Sequence, residues 1–251
     1  MSYKFHAFAA LHVPGDPLIL YNAWDPGSAR AVASAGAKAI ATGSWSVAAA
    51  LAYGDGEALP LELALAGATR IAGAVDLPVT IDFEGGYAVE PVAVAANASR
   101  LATTGAIGCN FEDQVVGGEG LHPVDFQVAR IAAIRAATGR DFFINARTDI
   151  FLQNGPATHD EAKADDAIAL GNAYAAAGAS GFFVPGLVDL ALLEKICRAV
   201  RLPINFMAFP GAPGARDVAG AGVARISHGP YPYRTAMAAL TAAAQEAFNW
   251  R

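Results

Sequence analysis

Short β-branched or apolar runs alternate along the chain with longer Ala-rich segments whose apolar positions recur at helical spacing, the pattern of βα units around a parallel sheet. The runs are LILYN (18–22), KAIAT (38–42), PVTIDF (78–83), IGCNFE (107–112), DFFINAR (141–147), GFFVPG (181–186), PINFMA (203–208) and VARISH (223–228). Eight is the number that closes a (β/α)8 barrel, so the pattern predicts an α/β TIM barrel. An open doubly wound sheet is the competing arrangement, but no dinucleotide-binding fingerprint accompanies it. Helix signals fall between the runs. Asp25-Pro26 opens one helix with Pro in its first turn, Pro91 opens another, and Thr158 followed by Glu161 has capping-box spacing. AGAKAI, TTGAIG, AAGASG and AGAGVA each set a Gly after an Ala-rich helix and just before a strand, as a C-cap would. No linker or composition shift divides the chain, which predicts one barrel domain over residues 1–251.

Composition narrows the partners. The 54% hydrophobic residues and mean hydropathy of +0.34 suffice for a large core. The 17 basic and 23 acidic residues give a net charge of −6 with no Lys/Arg cluster, so a small-molecule partner is expected and nucleic acid is not. The two cysteines, Cys109 and Cys197, have neither metal-ligand nor disulfide-framework spacing, which points to a reducing cytoplasm. The N-terminal stretch reads as neither an export signal nor a membrane span, and other apolar runs are broken before spanning length, so no membrane role is expected.

The acids cluster where a barrel keeps its chemistry, at the C-terminal ends of strands. Asp82 and Glu84 end the third run, Glu112 and Asp113 the fourth, and Asp55 follows the second. In an extended strand Asp82 and Glu84 share parity and their side chains point the same way. Carboxylates gathered in one pocket repel unless a cation or a proton lies between them, and all-oxygen ligands favour Mg2+, or Mn2+, over zinc. As turn or N-cap residues the same acids have a purely structural explanation. The two glycines of EGGY permit tight turning or close approach to a ligand. Arg147 ends the fifth run, where its fork can bind a carboxylate or phosphate or pair with Asp149. Gly43, Ser44 and Trp45 offer backbone N–H groups near a helix start, a common place for an anion. Asn22, Asp25, Asn205 and Ser227 lie near other strand ends and can line the pocket or cap helices; Asn205 is expected among the substrate contacts. The histidines His6, His12, His122, His159 and His228 have no metal-ligand spacing.

TGSWS with AYGDGE, then DFEGGY, NFEDQ and NARTD, in this order on successive runs, resemble the isocitrate lyase/phosphoenolpyruvate mutase superfamily over nearly the whole chain. The resemblance implies an Mg2+ site with Asp82 as direct ligand and Asp55, Glu84 and Glu112 holding metal-bound waters. It implies a small 2-oxo acid or dicarboxylate substrate whose carboxylate meets the Gly43-Ser44-Trp45 amides and Arg147, and it puts the chemistry on Arg147, Glu112 and Asp55. The family's C–C lyases carry a Lys-(Lys/Arg)-Cys-Gly-His loop after the fourth strand, and its phosphonate enzymes a longer loop with Lys and Asn. Here that segment is the short EDQVVGGEGLHPVD, with Gln114 where many members have Lys. Gly117, Gly118 and Gly120 give it freedom to close over substrate, and His122 is its one base-like group. The expected activity is Mg2+-dependent C–C cleavage or oxaloacetate-type decarboxylation through an enolate. C–P bond chemistry and non-catalytic 2-oxo acid binding are the alternatives. Homo-oligomers with an exchanged eighth helix are common in the family, so a homo-oligomer is expected.

Overall fold

The computed structural model describes residues 2–153 and 155–250. All eight predicted runs become strands: β1 (Leu18–Leu20), β2 (Ile40–Ala41), β3 (Val79–Asp82), β4 (Gly108–Glu112), β5 (Phe143–Arg147), β6 (Gly181–Phe183), β7 (Ile204–Met207) and β8 (Arg225–Ser227). They pair in parallel in the order β1-β8-β7-β6-β5-β4-β3-β2. An open doubly wound sheet would reverse its strand order at a switch point, and this sheet does not. Where β1 meets β2, Ala23 N donates to Ala41 O at 2.8 Å and an isolated parallel bridge joins Ala23 to Thr42, which nearly closes the TIM barrel. Gly108 lets β4 pass close to β5: a Cβ there would stand 2.3 Å from the Phe143 carbonyl oxygen.

Each strand is followed by helix. α2 (Pro26–Ser34) follows β1, and α3 (Ser44–Ala50) with α4 (Leu61–Ala74) follows β2. α5 (Pro91–Ala102), α6 (Val124–Thr138), α7 (Glu161–Ala176), α8 (Leu190–Ala199), α9 (Ala215–Gly220) and α10 (Tyr231–Phe248) follow β3 to β8 in turn. Asp25 caps α2 by accepting from Ser28 N, with Pro26 at its first turn, and Pro91 opens α5. The glycines of the four helix-to-strand joints, Gly36, Gly105, Gly178 and Gly222, all have φ between 95° and 102°. The expected Thr158–Glu161 capping box does not form. Asp160 caps α7 by accepting from Lys163 N, while Thr158 Oγ1 bonds Gly155 O within a short 3-10 turn. A carboxylate adjacent to the first helical turn takes the free amide more readily than a hydroxyl two residues further back.

The core has two parts. Apolar residues of the outer strand faces pack against the helices, while Phe8, Leu18, Leu20, Ala39, Ala41, Ile107 and Phe143 form a second cluster. Phe8 belongs to α1 (Ser2–Ala10), an N-terminal helix that the sequence pattern does not predict; it packs edge-on against Phe143 at 5.1 Å. In the other direction α10 is mostly exposed, Pro232 being its only buried residue. No described helix is long and apolar enough to cross a membrane, and Cys109 and Cys197 are both free thiols.

Candidate active site

A cavity of about 170 Å3 opens at the C-terminal ends of the strands. Its lining includes Asn22, Gly43, Ser44, Trp45, Asp55, Asp82, Asn110 and Arg147, and on the β6–β8 side Phe183, Pro185, Met207 and Ser227. One end of β3 thus meets residues from every other part of the barrel. The register explains part of this convergence: Asp82 lies beside Asn110, Asn110 beside Asn145, and Glu112 beside Arg147. Paired positions in neighbouring strands turn their side chains to the same face.

Asp82 is held at both oxygens. Ser44 donates its backbone N and its Oγ to Oδ2, each at 2.9 Å, and Asn110 Nδ2 donates to Oδ1 at 3.3 Å. The Ser44 amide, expected to meet a substrate anion, is therefore given to the Asp82 carboxylate. Arg147 is similarly engaged: its Nε and one terminal nitrogen reach Asp149 at 2.5 and 2.8 Å, and the other reaches Glu112 Oε2 at 2.8 Å. Of the two possibilities open to Arg147 in the sequence, the pairing with Asp149 forms, and Arg147 also lines the cavity. Asp149 is in turn oriented by Asp113, which accepts from Asp149 N at 3.0 Å and from Tyr174 Oη at 2.8 Å.

Glu84 corrects the parity argument. β3 ends at Asp82, and Glu84 has φ +50°, so it reaches the site from a left-handed turn and not from an extended strand. Glu57 and Tyr87 also have positive φ, at 59° and 56°, conformations that side chains beyond Cβ rarely adopt. The three are tied together. Glu57 N donates to Glu84 Oε2 at 2.6 Å, Tyr87 N to Glu57 Oε1 at 2.7 Å, and Tyr87 Oη to Glu84 Oε1 at 3.4 Å. Arg130, buried under the turn, donates to Gly85 O and, at 3.0 Å, to Ala88 O, with its guanidinium 4.8 Å from the Phe111 ring. Asn110 and Arg130 are candidate-site residues that the sequence reading did not single out: Asn110 sits within an apolar run, and nothing local marks Arg130.

The carboxyl groups are crowded. Burial, with opposition from Glu57 N–H and support from the charges of Asp82, Asp55 and Glu57, pushes Glu84 up to about 7. Burial and then Asp82 raise Asp55 at the cavity rim, and burial raises Glu112 against the pull of Arg147. Excess negative charge around Asp82, with Arg147 already shared between two acids, suits a divalent cation. Among the described residues no three His, Cys, Asp or Glu side chains converge to chelate one ion. An Mg2+ ion commonly keeps several waters and touches few carboxylates.

Other expected residues lie elsewhere. Asn205 is fully buried and accepts from Ser227 Oγ at 3.3 Å, but it is not part of the cavity lining. Asp25 is an exposed helix cap. His122 packs against Phe126 at 5.3 Å and does not line the cavity. The segment after Gln114 is a small hairpin, not a free loop: Gln114 bridges Leu121, Val115 N donates to Gly120 O at 3.0 Å, and Gln153 Nε2 holds Gly120 O at 2.9 Å. Val116 seats on the EGG turn, its Cγ2 only 2.9 Å from where a Cβ on Gly85 would be.

Comparison with known proteins gives the family. The model of the Phosphoenolpyruvate phosphomutase family matches residues 8–248. The crystal structure of a phosphonomutase candidate from Burkholderia cenocepacia J2315 superposes with a TM-score of 0.95 at 48% identity, over 98% of this chain and 99% of that one. An uncharacterized protein of Mycobacterium tuberculosis H37Rv is 34% identical over 95% of this chain and 88% of its own length. The 2-methylisocitrate lyase of Escherichia coli K12 is 30% identical over 82% of this chain and 71% of its own. With its barrel, its acids at the strand ends and these matches, the chain belongs to the phosphoenolpyruvate phosphomutase family of the isocitrate lyase/phosphoenolpyruvate mutase superfamily.

Proposed function

We propose that the protein is an Mg2+-dependent carbon–carbon lyase acting on a small 2-oxo or 2-hydroxy carboxylate. The observation that carries this reading is the meeting of Asp55, Asp82 and Arg147 in one cavity, with Glu84 and Glu112 behind them. Asp82 would hold the ion directly, and Asp55, Glu84 and Glu112 would accept hydrogen bonds from its waters. When bound, Mg2+ acts as a Lewis acid that favours negative charge on the 2-oxo oxygen as a bond to C3 breaks. Arg147 still has one unshared proton on each terminal nitrogen after Asp149 and Glu112 are served, enough to take the substrate carboxylate. Asn22, Asn110 and Ser227 add neutral polar groups to the same wall. Asp55, between cavity and solvent, is the carboxylate placed to move a proton to or from the product.

The Burkholderia relative supports a second reading, C–P bond chemistry. The charge of the cavity weighs against it, because Arg147 is the only cation among its described lining residues and a phosphonate dianion calls for more. Arg234 stacks on the Trp45 ring at 4.6 Å but is exposed on α10 and does not line the cavity. We further propose a homo-oligomer in which α10 packs on a second copy. Exposed apolar residues on α10, Leu240 and Phe248, support this, as do exposed Ile19 and Tyr21 beside a groove along β1.

Calorimetry with Mg2+ and pyruvate, oxaloacetate or 2-oxoglutarate tests the site, and product release tests turnover. Asp82→Ala is expected to abolish Mg2+-dependent 2-oxo acid binding; wild-type affinity in that variant would sink the assignment. Binding without turnover of any 2-oxo or 2-hydroxy acid would leave a binding protein in place of a lyase.

A further inference from the structure

Strand β8 carries an arginine for which the proposed reaction has no use. Arg225 is fully buried inside the barrel, in register with Asn205, its guanidinium 6.0 Å from the Phe8 ring at the closed end. Burial pulls its pKa down to about 9, with Asp82 opposing, so it remains a cation at neutral pH. Among the described residues its Nε and one terminal nitrogen have no hydrogen-bond partner and it joins no ion pair. Unmet buried donors destabilise the fold unless something offsets them. Barrel interiors are ordinarily filled by branched aliphatic side chains, so a lone cation there calls for a reason.

Its one hydrogen bond among the described residues supplies the reason. Asn110 Oδ1 accepts from Arg225 at 3.1 Å and from Asn145 Nδ2 at 2.8 Å. With two donors on its oxygen, the Asn110 amide has a single sensible orientation, and its Nδ2 faces Asp82 Oδ1 at 3.3 Å. Ser44 holds the other oxygen of the same carboxylate. The chain of contacts thus runs from the buried cation through one amide to the carboxylate at the centre of the site.

We propose that Arg225 is a positioning residue that acts through Asn110 to hold the Asp82 carboxylate in the orientation that receives a divalent ion. The proposal rests on Asp82 being the metal-binding carboxylate. Outer partners of metal ligands typically change metal affinity 10–100-fold when removed.

The test is Mg2+ titration by calorimetry into metal-free wild type, Arg225→Met, Asn110→Ala and the double variant. Each single change is expected to weaken Mg2+ by roughly 10–100-fold. The double variant should be no weaker than the weaker single one, because both interrupt one path. Arg225→Met should melt at or above the wild-type temperature, since it removes a buried charge and its unmet donors; a merely structural arginine would lower it. Unchanged or tighter Mg2+ binding in Arg225→Met, or losses that add in the double variant, would overturn the inference. Should Arg225→Met fail to fold, Asn110→Ala with wild-type Mg2+ affinity overturns it equally. Wild type that binds no Mg2+, or Asp82→Ala that binds it normally, removes the site reading and this inference together. Normal behaviour of both with an unaffected Arg225→Met removes this inference alone.

Discussion

At the scale of single residues, burial among like charges is the dominant effect. Glu84, pushed up to about 7 from an ordinary 4.5, binds its proton more tightly folded than unfolded. Its contribution to stability is therefore present below pH 4.5 and is lost as pH rises through about 7. The shift corresponds to an order of 3 kcal/mol. Scanning calorimetry of the protein in EDTA should show the melting temperature falling between pH 5 and pH 8, and Mg2+ should restore more of it at pH 8 than at pH 5. A flat profile would mean that Glu84 is better solvated than its 5% exposure implies. Arg147 leads to a different expectation. With Arg147→Ala, 2-oxo acid binding should weaken about 10-fold or more while Mg2+ still binds, measured by separate titrations. Loss of both would make Arg147 a structural clamp for Glu112 and Asp149.

At the scale of elements, the turn after β3 is where backbone and chemistry meet. Glu84, Gly86 and Tyr87 all hold positive φ, and the turn persists because Arg130 on α6 grips two of its carbonyls while Glu57 binds its amides. A Cβ on Gly86 would come within 3.0 Å of Val94 and 3.1 Å of Phe111, so a larger residue would push these neighbours aside and strain the positive φ of 85°. Replacing Arg130 by Met should lower stability by about 2–4 kcal/mol in urea, since buried carbonyls lose their donors. It should also weaken Mg2+, because Glu84 loses its fixed approach. Stability loss with unchanged Mg2+ affinity would separate the turn from the site. DFEGGY announced itself in the sequence by its acids and glycines. Arg130 did not, because its role depends on α6 lying under a turn some 45 residues earlier in the chain.

At the scale of the whole molecule, the barrel is capped at one end by α1 and opens at the other into the acidic cavity, while α10 touches Trp24 and Trp45 through Tyr233 and leaves most of its length exposed. If α10 packs on a second copy, light scattering should give a multiple of the 25.7 kDa chain mass, and Leu240→Asp with Phe248→Ser should reduce it to one chain. A single-chain mass for wild type would refute the assembly. The sequence by itself determined the eight strands, their order with helices, the glycine joints and the identity of the acids at the strand ends. These follow from local periodicity, turn chemistry and the rule that a parallel barrel gathers its strand ends at one face. Only the tertiary structure decided which groups those acids face: the Ser44 amide turned to Asp82, Arg147 shared between Glu112 and Asp149, Asn205 buried below the cavity, and Arg225 behind Asn110. Those pairings depend on register and closure across strands far apart in the chain, where spacing along the sequence carries no distance information.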